Sequence, residues 1–289
     1  MHDSLADALH LLVARDDATP QLIAARDAGS LMAAALLDNL SGDERNAYDA
    51  PHAFEVFIRG GGNPALYDAV SAALASLIEE QSVDALLDIG AGDGMALLPA
   101  LRLASRVPQT VDVIEPSAGL LDRLRPHLPA GKAWSTTLQD WLSHIAPDQR
   151  WDLAQSTFAL QSIPPAERLA SLTALRPHVS HLAIVEFDVP VFDNEGDRLA
   201  SMANRYEEAV REYGEDAALV AGGFLAPMLL GQLHATTPSN FEQPVAAWVD
   251  ELTRAGFKVS TVSHLHDYSW APAYLVVANS GIEGNARVP

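Results

Sequence analysis

The first forty residues of the chain show apolar positions at helical spacing. Leu5, Ala8, Leu9 and Leu12 lie three or four positions apart, as on one face of an amphipathic helix. Polar segments interrupt this pattern twice. The stretch therefore predicts two or three short helices between residues 5 and 40.

A turn-rich stretch, 41–53, follows, and three consecutive glycines then interrupt the next helical pattern. The helix restarts at Pro64, where proline suits the first helical turn. We predict that this longer helix ends near Gln81.

From residue 84 the pattern changes to short apolar runs separated by helical segments, which is typical of βαβ units and a parallel sheet. The predicted strands are 85–90, 110–116, 132–136, 151–157 and 181–189, and the predicted helices are 96–104, 118–128, 139–145 and 165–175. We expect an α/β sheet domain.

Residues 190–243 interrupt this alternation. The pattern predicts a helix over 199–213 and a loop-rich segment over 222–244. Insertions after a sheet strand often carry substrate contacts. A helix over 245–255 and two strands, 257–266 and 273–279, then complete the pattern, and the last ten residues are predicted to be disordered.

Composition narrows the class of protein. With 289 residues, 48% of them hydrophobic, the chain can bury the core of one α/β domain with attachments. The 18 Lys and Arg against 38 Asp and Glu give a net charge of −20, which disfavours nucleic acid and anionic membranes as partners or simply keeps the protein soluble. The absence of cysteine excludes disulfides, thiolate metal sites and a cysteine nucleophile.

The sequence also predicts a cytoplasmic location. The N-terminal residues lack the basic start and the apolar core of a signal peptide. We expect no stretch to approach the roughly 18 apolar residues of a membrane span. We therefore expect no membrane partner.

The run from Leu86 to Gly94, LLDIGAGDG, lies where a predicted strand turns into a helix. Glycines let the backbone approach a ligand closely, and a helix start presents free amides to it. A nicotinamide-binding GxGxxG would need its third glycine where Met95 stands. The run instead matches D-x-G-x-G-x-G, with Gly90 and Gly92 inside it.

This run resembles motif I of the class I S-adenosylmethionine (SAM)-dependent methyltransferases, and the resemblance extends from about residue 84 to 279. It implies a Rossmann-like, mostly parallel seven-stranded sheet with an antiparallel last strand, an N-terminal helical lid and a helical insertion after strand five. It also implies SAM as the cofactor and a methyltransferase activity. The cofactor contacts that it implies include Glu115 for the ribose, Asp140 for the adenine, and Gln155 and Ser156 beside the methyl-transfer channel. The others are Asp88, Gly90, Gly92, Pro116 and Gln139.

Each acidic residue has a plainer interpretation. Asp88 could cap the following turn, Glu115 could be a solvated strand end, and Asp140 could be a helix N-terminal carboxylate. Arg59, beside the triple glycine, could clamp a carboxylate of cofactor or substrate, or it could be an ordinary surface arginine.

Several short segments narrow the resemblance. FIRGGGNPALYDA, EFDVP, GGFLAPMLLGQ, FEQP and HDYSWAP are similar to bacterial small-molecule methyltransferases of secondary metabolism, some of which methylate carbon next to a 2-oxo acid. The resemblance implies C- or O-methylation of such an acceptor. Some members hold the substrate with a histidine-bound divalent or iron metal, which is possible here but is not predicted.

Candidate bases are His266 and Asp267 at a strand end and His234 in the insertion, although methyl transfer depends mainly on alignment and a strong base is optional. If a metal were used, His264 would join them, because residues two apart on a strand point the same way. Ordinary polar strand-end residues remain the alternative.

Eight aromatic residues could line an apolar substrate pocket, or could simply be core. They are Phe54, Phe57, Tyr67, Phe158, Tyr206, Tyr213, Phe224 and Trp270.

The predicted division is 1–80 as a helical lid or dimerisation segment of a homodimer and 81–289 as the SAM-binding domain, with 190–243 as its substrate-binding insertion. A non-catalytic SAM-binding partner or sensor remains an alternative function. A nicotinamide oxidoreductase is disfavoured by Met95.

Overall fold

The computed structural model describes residues 2–42, 50–235 and 240–281, and the chain divides into two compact units. The helical unit comprises Met1–Ala65, Val191–Ser239 and Tyr268–Trp270, and the sheet unit comprises Leu66–Pro190, Asn240–Asp267 and Ala271–Pro289. The first boundary between the units lies between Ala65 and Leu66, whereas the predicted division was at residue 80. Most of the predicted insertion, Val191–Ser239, belongs to the same unit as the N-terminal helices. The lid, dimerisation and substrate-binding roles stay predictions. Much of the turn-rich stretch 41–53 and most of the last ten residues lie outside the described residues.

The sheet unit contains a seven-stranded sheet with the order β3-β2-β1-β4-β5-β7-β6. The strands are β1 Ala85–Ile89, β2 Thr110–Ile114, β3 Ala133–Trp134, β4 Trp151–Thr157, β5 Val179–Phe187, β6 Lys258–His266 and β7 Ala273–Asn279. The first five run parallel, and β7 runs antiparallel to both β5 and β6. The predicted fold class is confirmed.

Helices cover the strands of this sheet and explain their composition. They are α5 Asn63–Glu80, α6 Leu97–Leu103, α7 Ala118–Leu124, α8 Leu138–Leu142, α9 Pro165–Leu175 and α13 Val245–Arg254. Four of the five residues of β1 and seven of the nine of β5 are buried. Parallel strands covered on both faces require such continuous apolar runs.

A buried ion pair joins α9 to α13. Arg168 is fully buried and donates three hydrogen bonds of 2.8–3.1 Å to the carboxylate of Glu251. Its guanidinium also lies 4.2 Å from the ring centroid of Trp248. Because either charge alone would be very costly to bury, this pair fixes the two helices relative to each other.

The helical unit packs α1–α4 against three later helices. The bounds are α1 His2–Ala14, α2 Thr19–Asp27, α3 Leu31–Leu40, α4 Pro51–Arg59, α10 Glu195–Arg211, α11 Ala217–Val220 and α12 Ala226–His234. Buried Glu207 of α10 accepts hydrogen bonds from the hydroxyl of Ser30 and from the amides of Leu31 and Met32. It therefore satisfies the otherwise unpaired amides that begin α3.

The segment predicted as loop-rich over 222–244 is helical as far as His234, and that part of the prediction was wrong. A π-turn, Ala221–Leu225, joins α11 to α12. Glycine and proline are expected to break helices, but Pro227 stands in the first turn of α12, where its missing N–H is tolerated. Gly223 is present because of packing: a Cβ there would lie 2.5 Å from the Cβ of Ala53.

The expectation that no segment could span a membrane was also wrong by length and composition. Gly214–His234 is 21 residues long, and it is both long enough and apolar enough to cross a membrane. Its residues 217–234 contain no Asp, Glu, Lys or Arg. Half of the most apolar 18-residue stretch of this segment is buried. Val220, Phe224 and Leu229 belong to the core of the helical unit. Core helices of soluble proteins can have the same length and composition.

The two glycines of the π-turn provide a matched test of this packing. We expect Gly223→Ala to lower the free energy of unfolding by about 1–3 kcal/mol through overpacking against Ala53. Gly222→Ala, where a Cβ would contact nothing within 4 Å, should be neutral or stabilising by up to about 1 kcal/mol from helix propensity. Urea unfolding checks both, and equal stabilities would contradict the role of Gly223.

Candidate functional site

The turn after β1 has an unusual backbone. Gly90, Gly92 and Gly94 all have positive φ angles, of 71°, 60° and 87°, which glycine adopts without strain. A Cβ on Gly90 would lie 2.3 Å from Ala159, and one on Gly94 would lie 2.6 Å from Leu124. A Cβ on Gly92 would meet nothing within 4 Å, so the middle glycine alone of these three borders open space.

Glu115 follows β2 and is tied to this turn. One carboxylate oxygen accepts the amide hydrogen of Gly92 at 2.9 Å, and the other accepts that of Ser117 at 2.8 Å. Only 6% of the residue is exposed, so it is not a solvated strand end. Pro116 comes next, and its carbonyl accepts a long hydrogen bond of 3.5 Å from Ser135.

Asp88 is fully buried at the end of β1, and neither carboxylate oxygen has a hydrogen-bond partner among the described residues. It therefore does not cap the turn. Burial raises the pKa of Asp88 to about 7; the nearby side chain of Gln155 opposes this shift, and the charge of Glu115 adds to it. No hydrogen bond of normal geometry joins Asp88 to Gln155, although the two residues are paired in register on β1 and β4.

The polar residues at the end of β4 mainly serve the sheet. The hydroxyl of Thr157 donates to the amide oxygen of Gln155 at 3.0 Å. Ser156 is fully buried and donates to the carbonyl of Ile89 at 3.0 Å, which ties β4 to the end of β1. Their place beside a methyl-transfer channel stays a prediction.

The predicted adenine contact Asp140 and the predicted cofactor contact Gln139 lie on α8. The Gln139 amide donates to Glu167 at 3.3 Å, and the backbone N–H of Asp140 donates to the hydroxyl of Thr137. The side chain of Asp140 is exposed and borders a surface cavity of about 580 Å³. Asp140 is thus an acidic residue in the first turn of α8. A contact between Asp140 and adenine stays a prediction.

The triple glycine has a packing role in the helical unit. A Cβ on Gly61 would lie 2.7 Å from the ring of Tyr213, and one on Gly60 would lie 3.2 Å from it. Arg59 is 68% exposed at its side chain, and its nearest carboxylate is that of Glu55 at 3.7 Å. Whether Arg59 also clamps a ligand carboxylate stays a prediction.

The candidate bases do not form one cluster within a single unit. His234 ends α12 in the helical unit, while His266 and Asp267 belong to the sheet unit. Asp267 is exposed and pairs with His264 at 2.8 Å. Within residues 2–42, 50–235 and 240–281, no three His, Asp or Glu side chains are grouped as metal ligands.

The expectation that His264 and His266 point the same way was wrong. His264 faces Tyr274 and His266 faces Ala273, because the pairing of β6 with β7 shifts register between the two histidines. Tyr274 and Ala273 are consecutive and so lie on opposite faces of β7. The bulge therefore separates the two imidazoles, and the alternation rule does not apply across it.

Most of the candidate aromatic residues belong to the core of the helical unit. The rings of Phe54 and Phe57 pack on Phe224 with centroid distances of 5.3 and 4.4 Å. Tyr206 and Trp270 are 5.7 Å apart. Packing in the core of the helical unit accounts for these aromatic residues.

Tyr67 and Phe158 instead lie together at the carboxyl end of β4. Phe158 stacks on Phe187 at 4.2 Å and meets Tyr67 edge-on at 6.2 Å. Phe158 has a φ of 51°, an uncommon conformation for a bulky side chain, and such strain is concentrated at functional positions. Burial, with the charge of Asp93, raises the pKa of Tyr67 to about 12.

Glu186, in the same region, lies within the segment EFDVP and is not one of the predicted site residues. It is 2% exposed, and one oxygen accepts the amide hydrogen of Leu160 at 3.1 Å, while the other has no partner among the described residues. Burial raises the pKa of Glu186 well above its usual range, against the opposing charge of Arg168, and the charge of Glu242 adds to the rise. The available signal was a glutamate inside an otherwise apolar strand.

The chain is similar to several solved structures. No protein-family model matches it, and no curated protein sequence does. Magnesium protoporphyrin IX methyltransferase from Synechocystis, with bound SAM, is 11% identical over 80% of this chain and 93% of its own, with a TM-score of 0.49. A putative O-methyltransferase from Nostoc punctiforme is 16% identical over 77% and 62%, with a TM-score of 0.46. Mitomycin 7-O-methyltransferase is 13% identical over 81% and 59%, with a TM-score of 0.47.

The raised pKa of Glu186 predicts how stability depends on pH. The folded protein favours the protonated carboxyl, so its stability contribution is complete below the unfolded pKa near 4.5 and is lost as the pH rises toward the folded pKa. We expect Glu186→Gln, which is always neutral, to be more stable than wild type at pH 8, with a difference that shrinks toward pH 5. Urea unfolding at several pH values measures this. The exposed Glu80→Gln is the control, and a Glu186→Gln protein less stable than wild type at pH 8 would contradict the prediction.

Proposed function

We propose that this protein is a SAM-dependent methyltransferase that acts on a small-molecule acceptor by C- or O-methylation. The observation that carries the proposal is the link between Glu115 and the amide of Gly92. It places an acidic residue that follows the second strand against a glycine turn that follows the first. A carboxylate there can accept hydrogen bonds from the two hydroxyls of a ribose.

The position of this turn in the sheet supports a ligand site. β1 is flanked by β2 on one side and by β4 on the other, so the strand order reverses beside it. Open parallel sheets bind ligands at the carboxyl ends of strands at such a point. Gly92 borders open space there, as a backbone that approaches a ligand requires.

The residues fit SAM better than a nicotinamide dinucleotide. The dinucleotide-binding sheet has the order 3-2-1-4-5-6, whereas here the antiparallel β7 lies between β5 and β6. The third glycine is Gly94, one place before the dinucleotide pattern requires it. SAM would be held by Asp88, Gly90, Gly92, Glu115 and Pro116, with Arg59, Gln139, Asp140, Gln155 and Ser156 as the further proposed contacts.

The protein's part in the reaction would be alignment and exclusion of water. SAM supplies a methyl group on a positively charged sulfur, which an acceptor displaces in line. Tyr67, Phe158 and Phe187 would form apolar walls at the carboxyl end of β4. For a hydroxyl or an acidic carbon, as in a 2-oxo acid or a secondary metabolite, a nearby base would help, and His266, Asp267 and His234 are the proposed candidates.

The remaining parts of the proposal concern partners and location. The net charge of −20 supports a small-molecule substrate, with neither nucleic acid nor membrane as partner. The proposed location is cytoplasmic. Exposed Ile23, Leu31 and Leu40 on α2 and α3 support a homodimer through the N-terminal helices. Light scattering that shows a monomer would remove the dimer from the proposal.

A calorimetric titration with SAM and with S-adenosylhomocysteine tests the cofactor. We expect binding of both, and Glu115→Ala should weaken it by about 1.5–3 kcal/mol, the usual loss for a hydrogen bond to a charged group. Asp122→Ala, which removes an exposed carboxylate of α7, is the control and should bind as wild type.

Two outcomes of this experiment would count against the proposal. If neither compound binds to the folded wild-type protein, the proposed function fails. If both bind but no methylated product forms with 2-oxo acids, phenols or other small acceptors, the non-catalytic sensor becomes the better candidate.

A further inference from the structure

Asp88 combines complete burial with an unpaired carboxyl group. Its exposure is 0%, and both carboxylate oxygens lack a hydrogen-bond partner among the described residues. Buried polar groups nearly always have partners, and an exception calls for an explanation. A buried carboxylate without a counterion takes up a proton instead of remaining charged.

The surroundings of Asp88 supply no counterion among the described residues. β2 leads to Glu115, whose negative charge opposes ionisation of Asp88, and β4 contributes the neutral amide of Gln155. α5 packs on the face of the sheet that carries Gln155. It contributes the phenol of Tyr67, and Asp93, whose charge acts on Tyr67, is again acidic. A positive charge brought to this site would therefore meet an excess of acidic groups.

We propose that a cationic ligand bound at the glycine turn ionises Asp88 and releases its proton to solvent, so that Asp88 becomes the ligand's counterion only when the ligand is present. The inference rests on the proposed function, in which the ligand is SAM, with a sulfonium and an α-ammonium group. The O–H bond of Asp88 breaks, the proton passes to the buffer, and the ligand's positive charge replaces it. No oxidation or further reactant is involved.

The proposal fixes the sign of the pH dependence. Asp88 in the free protein has its pKa raised to about 7 by burial, and a counterion lowers it in the complex. The complex then holds fewer protons than the free protein, so affinity rises with pH and levels off above pH 7. For one such group, linkage gives a dissociation constant about eightfold lower at pH 6.5 than at pH 5.5.

Calorimetry in buffers of different ionisation enthalpy counts the protons released when the whole chain binds SAM. At pH 6 an α-amino group, with a pKa of about 7.7–8.0, is already protonated and contributes little. Wild type should release about 0.9 proton per SAM at pH 6, and Asp88→Asn should release almost none. The affinity of Asp88→Asn for SAM should not vary between pH 5.5 and 7, while Asp122→Asn should behave as wild type.

S-adenosylhomocysteine distinguishes which positive charge is responsible, because it keeps the ammonium group and lacks the sulfonium. Proton release with both ligands supports the ammonium, and release with SAM alone supports the sulfonium. Equal proton release by wild type and Asp88→Asn, or binding of SAM to wild type without release, overturns the inference and leaves the proposed function in place. Failure of both ligands to bind at any pH overturns the proposed function as well.

Asn is a neutral replacement of the same size, so Asp88→Asn is expected to fold, which circular dichroism checks. If it does not fold, infrared difference spectroscopy of the wild-type protein gives the same decision. Loss of a protonated-carboxyl band when SAM is added at pH 6 supports the inference, and an unchanged carboxyl spectrum in the SAM complex overturns it.

Discussion

The way β1 ends is the constraint on which the proposed site depends. Three alternate residues adopt positive φ angles, and two of them are in contact with other parts of the sheet unit that leave no room for a Cβ. Such a turn cannot be built from other amino acids without strain. The amide of Gly92 is thereby directed to Glu115, and the end of β2 becomes fixed to the end of β1. The positions of Gly90, Gly92 and Glu115 follow from that junction.

The periodicity of the sequence was sufficient to predict the strands of the sheet, because each strand is a short apolar run between helical segments. The boundaries of β4, β7 and α9 agree with it closely. It failed where tertiary packing decided the outcome. The local pattern at Gly223 predicts a helix break, yet the residue is helical, and the close approach of Ala53 requires its lack of a side chain. That contact joins residues far apart in sequence, so no local pattern could reveal it.

The candidate site was predicted unevenly for a similar reason. Asp88, Gly90, Gly92 and Glu115 form one local motif and its partner strand, and the structure brings them together. His264 and His266 were assigned a common face by the alternation of a regular strand, but a bulge in β6 reverses one of them. Glu186 was passed over because its burial and its bond to Leu160 depend on strand order, which the sequence does not state directly.

The turn between β6 and β7 has a consequence for how the chain folds. Tyr268–Trp270 belong to the helical unit although the strands on either side belong to the sheet, and Tyr268 donates a hydrogen bond to Asn63, about two hundred positions earlier. During synthesis the first helices must therefore wait for nearly the whole chain before their unit is complete. Closing contacts between such distant positions is slow, so the nascent N-terminal helices would expose apolar surface for longer than a contiguous domain does, and chaperones would have time to act on them.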